Sequence, residues 1–381
     1  MPPSGSGELS GSGSLACCRD LPPHERDEGR HAMSTHRRRI SGRNKAIGAV
    51  AAAAVAAGGA FLFTNTALAT GEPATETAAG PTETTGAGFA PYVDTSLSPA
   101  FDLPASAEAT GVKEYTLAFV TDGGGCTPKW GGTGGLGDNP VAARIGALRE
   151  AGGDVRVSFG GAAGSELGTT CGSVEALTAA YTEVVDTYRL TKVDFDVEGG
   201  ALPNAEANTR RAQAIAALQE SHPDLDVSFT LPVMPEGLTQ DGVNLLADAK
   251  ENGVRIDAVN IMAMDYGPAY SGDMGTYAEQ AATATQAQLK DVLGLGEAEA
   301  WRTVAVTPMI GVNDVVTEIF TVEDATQLVE FAKARGLGRL SMWSGTRDRQ
   351  CPEGEKPAAD PTCSSILQDT FAFSKAFAAY N

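Results

Sequence analysis

Eight apolar runs that alternate with eight longer helical stretches most constrain the fold of this chain. Each run is short and mostly apolar, which is typical of parallel strands buried on both faces. Eight such units predict an α/β fold, a (β/α)8 TIM barrel, with an open doubly wound sheet as the alternative. We expect strands at 89–93, 115–121, 155–160, 192–198, 226–233, 258–265, 304–310 and 339–343, and helices that begin near Ala100, Pro140, Ser173, Asn204, Asp241, Tyr277, Val322 and Ser364.

The residues before the first strand have a different composition. Residues 1–32 are Gly/Ser-rich and then charged, and we interpret them as an upstream extension that precedes the true start at Met33. Residues 33–69 combine a basic run, an Ala/Gly/Val stretch and a small-x-small ending, which indicates a signal peptide, with a transmembrane anchor as the alternative. Residues 70–88 predict a flexible linker. A secreted, extracellular domain of residues 89–381 then carries the function.

Charge and side-chain inventory limit the chemistry. The chain has 28 Lys+Arg against 48 Asp+Glu and a formal net charge of −20, which argues against nucleic acid and anionic membranes as partners. His222 is the one histidine after residue 69, which argues against a Ser-His-Asp mechanism and against a His/Cys zinc site. We expect no cofactor and no metal. Nothing in the sequence indicates an obligate partner, so we expect a monomer.

The cysteines after residue 69 are even in number, which favours two disulfides in an exported chain. We expect Cys351 to pair with Cys363 across a short Pro-rich loop. Cys126 would pair with Cys171 and tie two loops together. Three pairings of these four residues can be drawn, and reduced cysteines are the alternative.

The segment at 191–200 alternates apolar and acidic side chains with period two, which is a strand pattern. In a strand, residues i and i+2 point the same way, about 6.5–7 Å apart, so Asp194, Asp196 and Glu198 share one face. Three acids on one face repel each other, so at least one is expected to hold a proton at neutral pH. A protonated carboxyl can act as a general acid. The alternative is a solvated outer face of a half-buried strand.

Other predicted strands also end in residues suited to a binding site. Active sites of (β/α)8 barrels lie at the C-terminal ends of the strands. The third strand ends in Ser158 and two glycines, the sixth in Met264, Asp265 and Tyr266, and the eighth in Trp343. This convergence of polar and aromatic side chains on one rim favours the catalytic interpretation of the acids.

Three of these motifs, in this order, resemble the family 18 glycoside hydrolases. They are S-x-G-G from Ser158, D-x-D-x-E ending at Glu198, and Met-Ala-Met-Asp-Tyr from 262 to 266. That family comprises chitinases and endo-β-N-acetylglucosaminidases on a (β/α)8 barrel, and the layout of the chain looks like a secreted bacterial chitinase. Two positions depart from the family pattern: its first Asp falls on Thr191, and its M-x-Y-D tyrosine falls on Met264, with Tyr266 two residues further on.

The resemblance implies an enzyme that hydrolyses β-1,4 linkages between N-acetylglucosamine units with substrate assistance and net retention. Glu198 would protonate the leaving oxygen and later activate water. Asp196 would orient the 2-acetamido group as it attacks, and Asp194 would share a proton with Asp196. The expected substrate-binding residues are Ser158, Met264, Asp265, Tyr266 and Trp343, with Trp343 as the aromatic floor under the reacting sugar.

Many exo-acting members of the family carry a small α+β insertion between the seventh strand and the seventh helix. Here that interval, 311–321, is short, so the resemblance implies a barrel without the insertion. An open groove and endo-acting cleavage of chitin, or of another N-acetylglucosamine-containing glycan, would follow. One alternative is an endo-β-N-acetylglucosaminidase that acts on N-glycans. The other is a non-catalytic carbohydrate-binding barrel, which the presence of Glu198 disfavours.

Overall fold

The structure is a computed structural model, and it describes residues 88–381. The predictions for the upstream extension, the signal peptide and all but the last residue of the linker lie outside these residues. Within the described range, no helix combines the length and the apolar character needed to cross a bilayer.

Eight parallel strands curl into a barrel in which each strand pairs with the next in the chain. The barrel closes where the Leu340 N–H donates to the Gly88 carbonyl and the Ala90 N–H donates to the Leu340 carbonyl, both at 3.0 Å. The predicted (β/α)8 fold is therefore confirmed. The strands are β1 (Tyr92–Asp94), β2 (Glu114–Asp122), β3 (Asp154–Gly160), β4 (Lys192–Asp196), β5 (Asp226–Met234), β6 (Ala258–Ala263), β7 (Val304–Pro308) and β8 (Arg339–Leu340).

One helix follows each strand, and side-chain caps explain several of their starts. Ser173, Asn204 and Asp273 each accept a hydrogen bond from the backbone N–H three residues further on, which satisfies a donor that the first turn leaves free. The helices are α1 (Leu103–Thr110), α2 (Ile145–Glu150), α3 (Val174–Tyr188), α4 (Ala205–Ser221), α5 (Gln240–Glu251), α6 (Met274–Leu293), α7 (Val322–Arg335) and α8 (Ala372–Phe377). Two further short helices span Leu167–Thr170 and Glu297–Thr303.

The last predicted helix start, Ser364, is wrong. Helix α8 begins at Ala372, because the buried Asp348 carboxylate accepts the N–H groups of Phe373 and Ser374 and so fixes the first turn there. The preceding residues form an irregular loop instead of a helix.

Short antiparallel strands lie at the C-terminal end of the barrel. Pro128–Trp130 pairs with β2, and Gly237–Leu238 pairs with β5. Between β7 and α7 the chain forms only a small hairpin, in which Gly311–Val312 pairs with Ile319–Phe320. The barrel therefore has no α+β insertion at this point, as the short interval predicts. We call residues 311–320 the β7 hairpin.

Both predicted disulfides are present. Cys126 pairs with Cys171, whose Cα atoms lie 4.7 Å apart, and the bond joins the loop after β2 to the loop after β3. Cys351 pairs with Cys363 and closes a loop of the C-terminal segment, with a sequence separation of 12. Each bond restrains a loop near the end of the barrel where the acids lie.

The apolar core lies between the strands and the helices, whereas the barrel interior is polar. Phe195 on β4 packs on Phe159, Phe229 and Tyr181, with ring centroids 5.0–5.9 Å apart. The alternate residues of the same strands point inward, and they are largely hydroxyl, amide and charged groups, all less than 9% exposed: Arg156, Ser158, Asp194, Asp196, Ser228, Thr230, Asn260, Thr307 and Arg339. The period-two pattern thus separates the packing face from the chemical face.

Candidate active site

Strand β4 places the acids in order of increasing exposure. Asp194 is fully buried, Asp196 is 4% exposed, and Glu198, just beyond the strand end, is half-buried. The alternation that the sequence predicts therefore takes the three carboxyls from the barrel interior to its C-terminal rim. The rim is where solvent and substrate have access.

Asp194 is held by hydroxyl groups from three other strands. Its Oδ2 accepts from Tyr92 of β1 at 2.9 Å and from Ser158 of β3 at 2.7 Å. Its Oδ1 accepts from Ser228 at 2.5 Å and from Thr230 at 2.9 Å, both on β5. Ser158 is 0% exposed and does not line the cavity described below, so the structure places this predicted substrate-binding residue beneath the site, as a support for Asp194.

Asp196 and Glu198 interact with each other. Burial raises the pKa of Asp196 well above its ordinary value, and the charges of Glu198 and Asp194 raise it further. Burial also raises the pKa of Glu198, although the hydrogen bond to Asp196 acts in the opposite direction. Asp196 Oδ1 is buried and has no hydrogen-bond partner among the described residues. The pair can therefore hold a proton near neutral pH and leaves one acceptor unused.

Two glycines at the end of β3 make room for this arrangement. A Cβ atom on Gly160, whose φ is +99°, would lie 2.1 Å from the backbone carbonyl oxygen of Asp196. A Cβ on Gly161, at φ +85°, would lie 2.7 Å from the Phe119 ring. Both positions require a residue without a Cβ, which explains the two glycines of the S-x-G-G motif.

A cavity of about 380 Å³ opens above the acids. Its aromatic wall is formed by Trp343, whose ring stacks on Phe119 with centroids 5.6 Å apart, and by Tyr92. Apolar side chains and carboxyl groups complete the lining, which includes Asp196, Glu198, Pro232, Val233, Met234, Met262, Met264, Asp265, Met309 and Asp314. An aromatic platform beside acids is the arrangement that a sugar-binding site needs, because a sugar ring presents an apolar face and polar edges.

Of the three predicted residues that follow β6, two line the cavity and one lies in the core. Met264 and Asp265 line the cavity. Tyr266 is 6% exposed and packs on Tyr270 and Tyr277, so the structure does not bring this expected sugar-binding residue to the cavity. The backbone enters the left-handed region at Asp265, whose φ is +52°, and the next residue, Tyr266, lies in the cluster with Tyr270 and Tyr277.

The β7 hairpin is attached to the loop after β6 by two carboxylates. The buried Glu318 accepts the N–H groups of Tyr266 at 3.1 Å and Gly267 at 2.7 Å. In return, Asp265 accepts the N–H of Val315 at 2.8 Å. Burial raises the pKa of Asp265, and this acid in turn raises the pKa of Glu198. The hairpin thus fixes one wall of the cavity.

Arg347 lies beneath this wall and is 1% exposed. It donates to the Val312 carbonyl at 2.6 Å. Burial lowers the pKa of Arg347 to about 10, while the charges of Asp314 and Asp265 act in the opposite direction. The guanidinium therefore stays charged at neutral pH and partly balances the acids of the cavity.

Sequence reasoning missed Tyr92, Phe119, Glu318 and Arg347. Tyr92 and Phe119 lie in predicted strands, 89–93 and 115–121, so strand position is the signal that could have found them. Glu318 and Arg347 depend on loop geometry that no local pattern encodes. Trp130, in the short strand after β2, is buried, and its Nε1 donates to the Tyr188 hydroxyl at 2.7 Å. No cluster of three or more potential metal ligands occurs among residues 88–381.

No family model matches the chain. Two curated relatives do: a probable bifunctional chitinase/lysozyme of Escherichia coli K12, 39% identical over 275 residues, and endochitinase 11 of Metarhizium anisopliae, 38% identical over 273 residues. Each alignment covers 68% of this chain, but only 31% and 52% of those two relatives. The chain therefore matches about a third and about half of their lengths.

A solved structure is matched almost completely. The catalytic domain of a hyperthermophilic chitinase from Pyrococcus furiosus has a TM-score of 0.71 and 36% sequence identity, and the match covers 77% of this chain and 95% of that one. The chain belongs to family 18 of the glycoside hydrolases. The members of this family hydrolyse glycosidic bonds, and the resemblance that the three motifs suggested is confirmed.

Proposed function

We propose that this family 18 member is a secreted, endo-acting chitinase. The observation that carries the proposal is the unused acceptor at Asp196, which lies beside a proton-sharing partner, Glu198, and under an aromatic wall. A buried acceptor without a partner is costly unless a ligand satisfies it. The N–H of a 2-acetamido group is a donor that fits this acceptor, and chitin carries one on every sugar.

The proposed mechanism uses one proton between two carboxyls. The proton moves from Asp196 to Glu198 as the substrate binds, and Glu198 then transfers it to the leaving glycosidic oxygen. The carbonyl oxygen of the 2-acetamido group attacks the anomeric carbon as that bond breaks, which gives an oxazolinium ion and a free alcohol. The Asp196 carboxylate stabilises the positive charge of the oxazolinium ion. Glu198 finally takes a proton from a water molecule as the water oxygen attacks the anomeric carbon, which opens the oxazolinium ring with net retention.

The substrate contacts follow from the cavity. Trp343 would support the apolar face of the reacting sugar, and Asp265 and Met264 would contact its other side. The small β7 hairpin leaves the groove without the wall that a larger insertion would supply. An open groove supports cleavage within a chain in preference to release from one end. The two disulfides support an oxidising, extracellular location.

Mass-resolved analysis of chito-oligosaccharide products tests the reaction. We expect the protein to cleave them with the β-anomer formed first, Glu198→Gln to lose at least about 10³-fold in rate, and the exposed-site control Glu206→Gln to retain full activity. If the parent protein does not cleave, chitinase activity is excluded, and release of high-mannose N-glycans or binding without cleavage would identify the alternatives.

Viscosity of a soluble chitin derivative tests endo action. Internal cleavage lowers viscosity steeply while few reducing ends appear. Disaccharide release at nearly constant viscosity would contradict the endo assignment and leave the catalytic assignment intact.

A further inference from the structure

The polar interior of the barrel continues below the acids as a layer of two arginines. Arg156 on β3 is 5% exposed, and Arg339 on β8 is 8% exposed. Both lie at the N-terminal mouth of the barrel, where they help to line a cavity of about 540 Å³. Neither residue takes part in the reaction proposed above, and neither lines the upper cavity.

Ser228 connects this layer to Asp194. Arg156 donates to Ser228 Oγ at 3.2 Å, and Arg339 donates to the same oxygen at 3.3 Å. Ser228 Oγ then donates to Asp194 Oδ1 at 2.5 Å. The two guanidiniums, the hydroxyl and the carboxylate form a continuous hydrogen-bonded path along the barrel axis. Two positive charges are thereby directed at one oxygen of Asp194.

The charges of this layer balance only if Asp194 is included. Arg156 pairs with Asp226 at 2.7 Å. Arg339 has no carboxylate within ion-pair distance among residues 88–381, and its buried Nε has no partner there. Burial lowers the pKa of Arg339 to about 10, so it is charged at neutral pH. An uncompensated buried charge is costly, and Asp194 is the remaining acid whose charge both guanidiniums sense.

The hydrogen bonds of Asp194 also favour its charged form. A carboxylate has about four acceptor sites. Hydroxyls from Tyr92, Ser158, Ser228 and Thr230 occupy them, at 2.5–2.9 Å. A proton on Asp194 would have to displace one of these donors, and hydrogen bonds to the ionised form favour ionisation.

We propose that Arg156 and Arg339 are positioning residues that keep Asp194 ionised through Ser228, so that the catalytic proton stays on the Asp196–Glu198 pair. The proposal rests on the proposed function, because it assigns a proton to that pair. The mouth of the barrel opposite the substrate then sets the protonation state of the site.

The pH dependence follows from the groups that face Asp194. Removal of one cation favours the protonated form of every acid there, so both limbs of the pH profile of kcat/KM move to higher pH. The acidic limb moves most, because Asp194 is the acid linked to the guanidiniums. Burial raises the pKa of Tyr92 well above its ordinary value, so it stays neutral. The facing titratable or charged groups are Tyr92 (β1), Arg156 (β3), Asp196 and Glu198 (β4), Asp226 (β5) and Arg339 (β8), and the uncharged polar neighbours are Ser158, Ser228, Thr230 and Asn260.

The test compares pH profiles of kcat/KM between pH 4 and 9. We expect Arg339→Met to raise the midpoint of the acidic limb by roughly one pH unit. Arg339→Lys, which keeps the charge, should raise it less than half as far. Ser228→Ala, which removes the connecting hydroxyl, should also raise it. Arg302→Met is the matched control, because this exposed arginine lines the same lower cavity and should leave both limbs in place.

A folded Arg339→Met protein with an unmoved acidic limb would overturn the proposal and leave Arg339 with a packing role only. If that variant does not fold, Ser228→Ala decides, and an unmoved limb in it has the same meaning. Carbon-13 NMR of the Asp194 carboxyl at pH 5, assigned with Asp194→Asn, gives a readout that needs no activity. A larger protonated fraction in Arg339→Met than in the parent would support the charge assignment even if the proposed chitinase activity were wrong.

Discussion

The two ends of the barrel use the same residue types in opposite ways. At the C-terminal end, burial raises the pKa values of Asp196, Glu198 and Asp265, and no cation among residues 88–381 pairs with them directly. At the N-terminal end, burial also opposes ionisation of Asp226, but the Arg156 guanidinium at 2.7 Å more than offsets it, and the pKa falls below the ordinary value. The difference is the presence of a positioned cation.

Because of this difference, the acids at one end are suited to catalysis and the acids at the other end stabilise the fold. Acids held without a counter-charge raise the free energy of the folded protein, and a catalytic proton donor needs such a raised pKa. Acids paired with arginine lower that free energy and are unsuited to proton transfer near neutral pH. We therefore expect the same substitution to have opposite effects at the two ends.

The sharpest comparison is Asp196→Asn against Asp226→Asn. The first should lower kcat by about 10²–10³-fold, because the amide cannot stabilise a positive charge, while the melting temperature stays the same or rises as repulsion is relieved. The second should retain activity but destabilise the fold by about 2 kcal/mol, less than a fully buried pair costs because the Asp226 side chain is 31% exposed. Calorimetry and steady-state kinetics on both variants measure this contrast.

A loss of activity in Asp226→Asn larger than tenfold, with an unchanged melting temperature, would contradict the division between the two ends. It would place Asp226 in the catalytic network.

Two tryptophans extend the comparison. Trp343→Ala should reduce kcat/KM by roughly 10–100-fold, because it removes the aromatic wall of the cavity. Trp301 precedes β7 at the opposite end, is 7% exposed and packs on Phe331. Trp301→Ala should cost about 3 kcal/mol of stability through the cavity it leaves, with little change in kcat/KM. Equal kinetic effects of the two substitutions would break the comparison.

The dependence of the melting temperature on pH should contain contributions from the acids at both ends of the barrel. Acids whose folded pKa is raised destabilise the fold as pH rises through their titration, whereas acids such as Asp226 stabilise it above about pH 4 and lose that contribution as pH falls. The melting temperature should therefore be highest in mildly acidic buffer. Asp196→Asn should flatten the decline that begins above about pH 4 and leave the acidic side unchanged. Parallel curves for parent and variant would show that Asp196 does not carry the effect.

The smallest effect is expected at Tyr266. This residue lies at the catalytic end, but its hydroxyl has no partner among the described residues and does not line the cavity. Tyr266→Phe should leave kcat/KM within about twofold and should not lower the melting temperature, because an unsatisfied buried hydroxyl is costly. A tenfold loss of kcat/KM would restore the role that the sequence suggested for it.

The strands and the positions of the acids could be predicted because both depend on the order of residues within one short segment. The period-two alternation around Asp194 and Asp196 fixes which side chains face inward, whatever the rest of the chain does. The partners of Asp194 come from other strands, so Ser158 looked like a substrate contact when it is a support. The positive φ of Asp265 turned Tyr266 away from the cavity. Residues whose partners are distant in sequence, such as Glu318 and Arg339, leave no signal in their own neighbourhood.

The four hydroxyls around Asp194 belong to the first, third and fifth strands. The first of these strands pairs with β2 on one side and with the last strand on the other, where the Tyr92 N–H donates to the Met342 carbonyl at 3.0 Å. An N-terminal fragment that ends before β8 therefore holds Tyr92 from one side only, and we expect an incomplete cage of hydroxyls around Asp194 in it. Appearance of the cage during refolding would coincide with the final long-range pairing and would lag behind helix formation. Catalytic turnover is then a stringent reporter of complete folding. Complementation between two half-barrels should restore turnover only when their strands pair at both junctions between the halves.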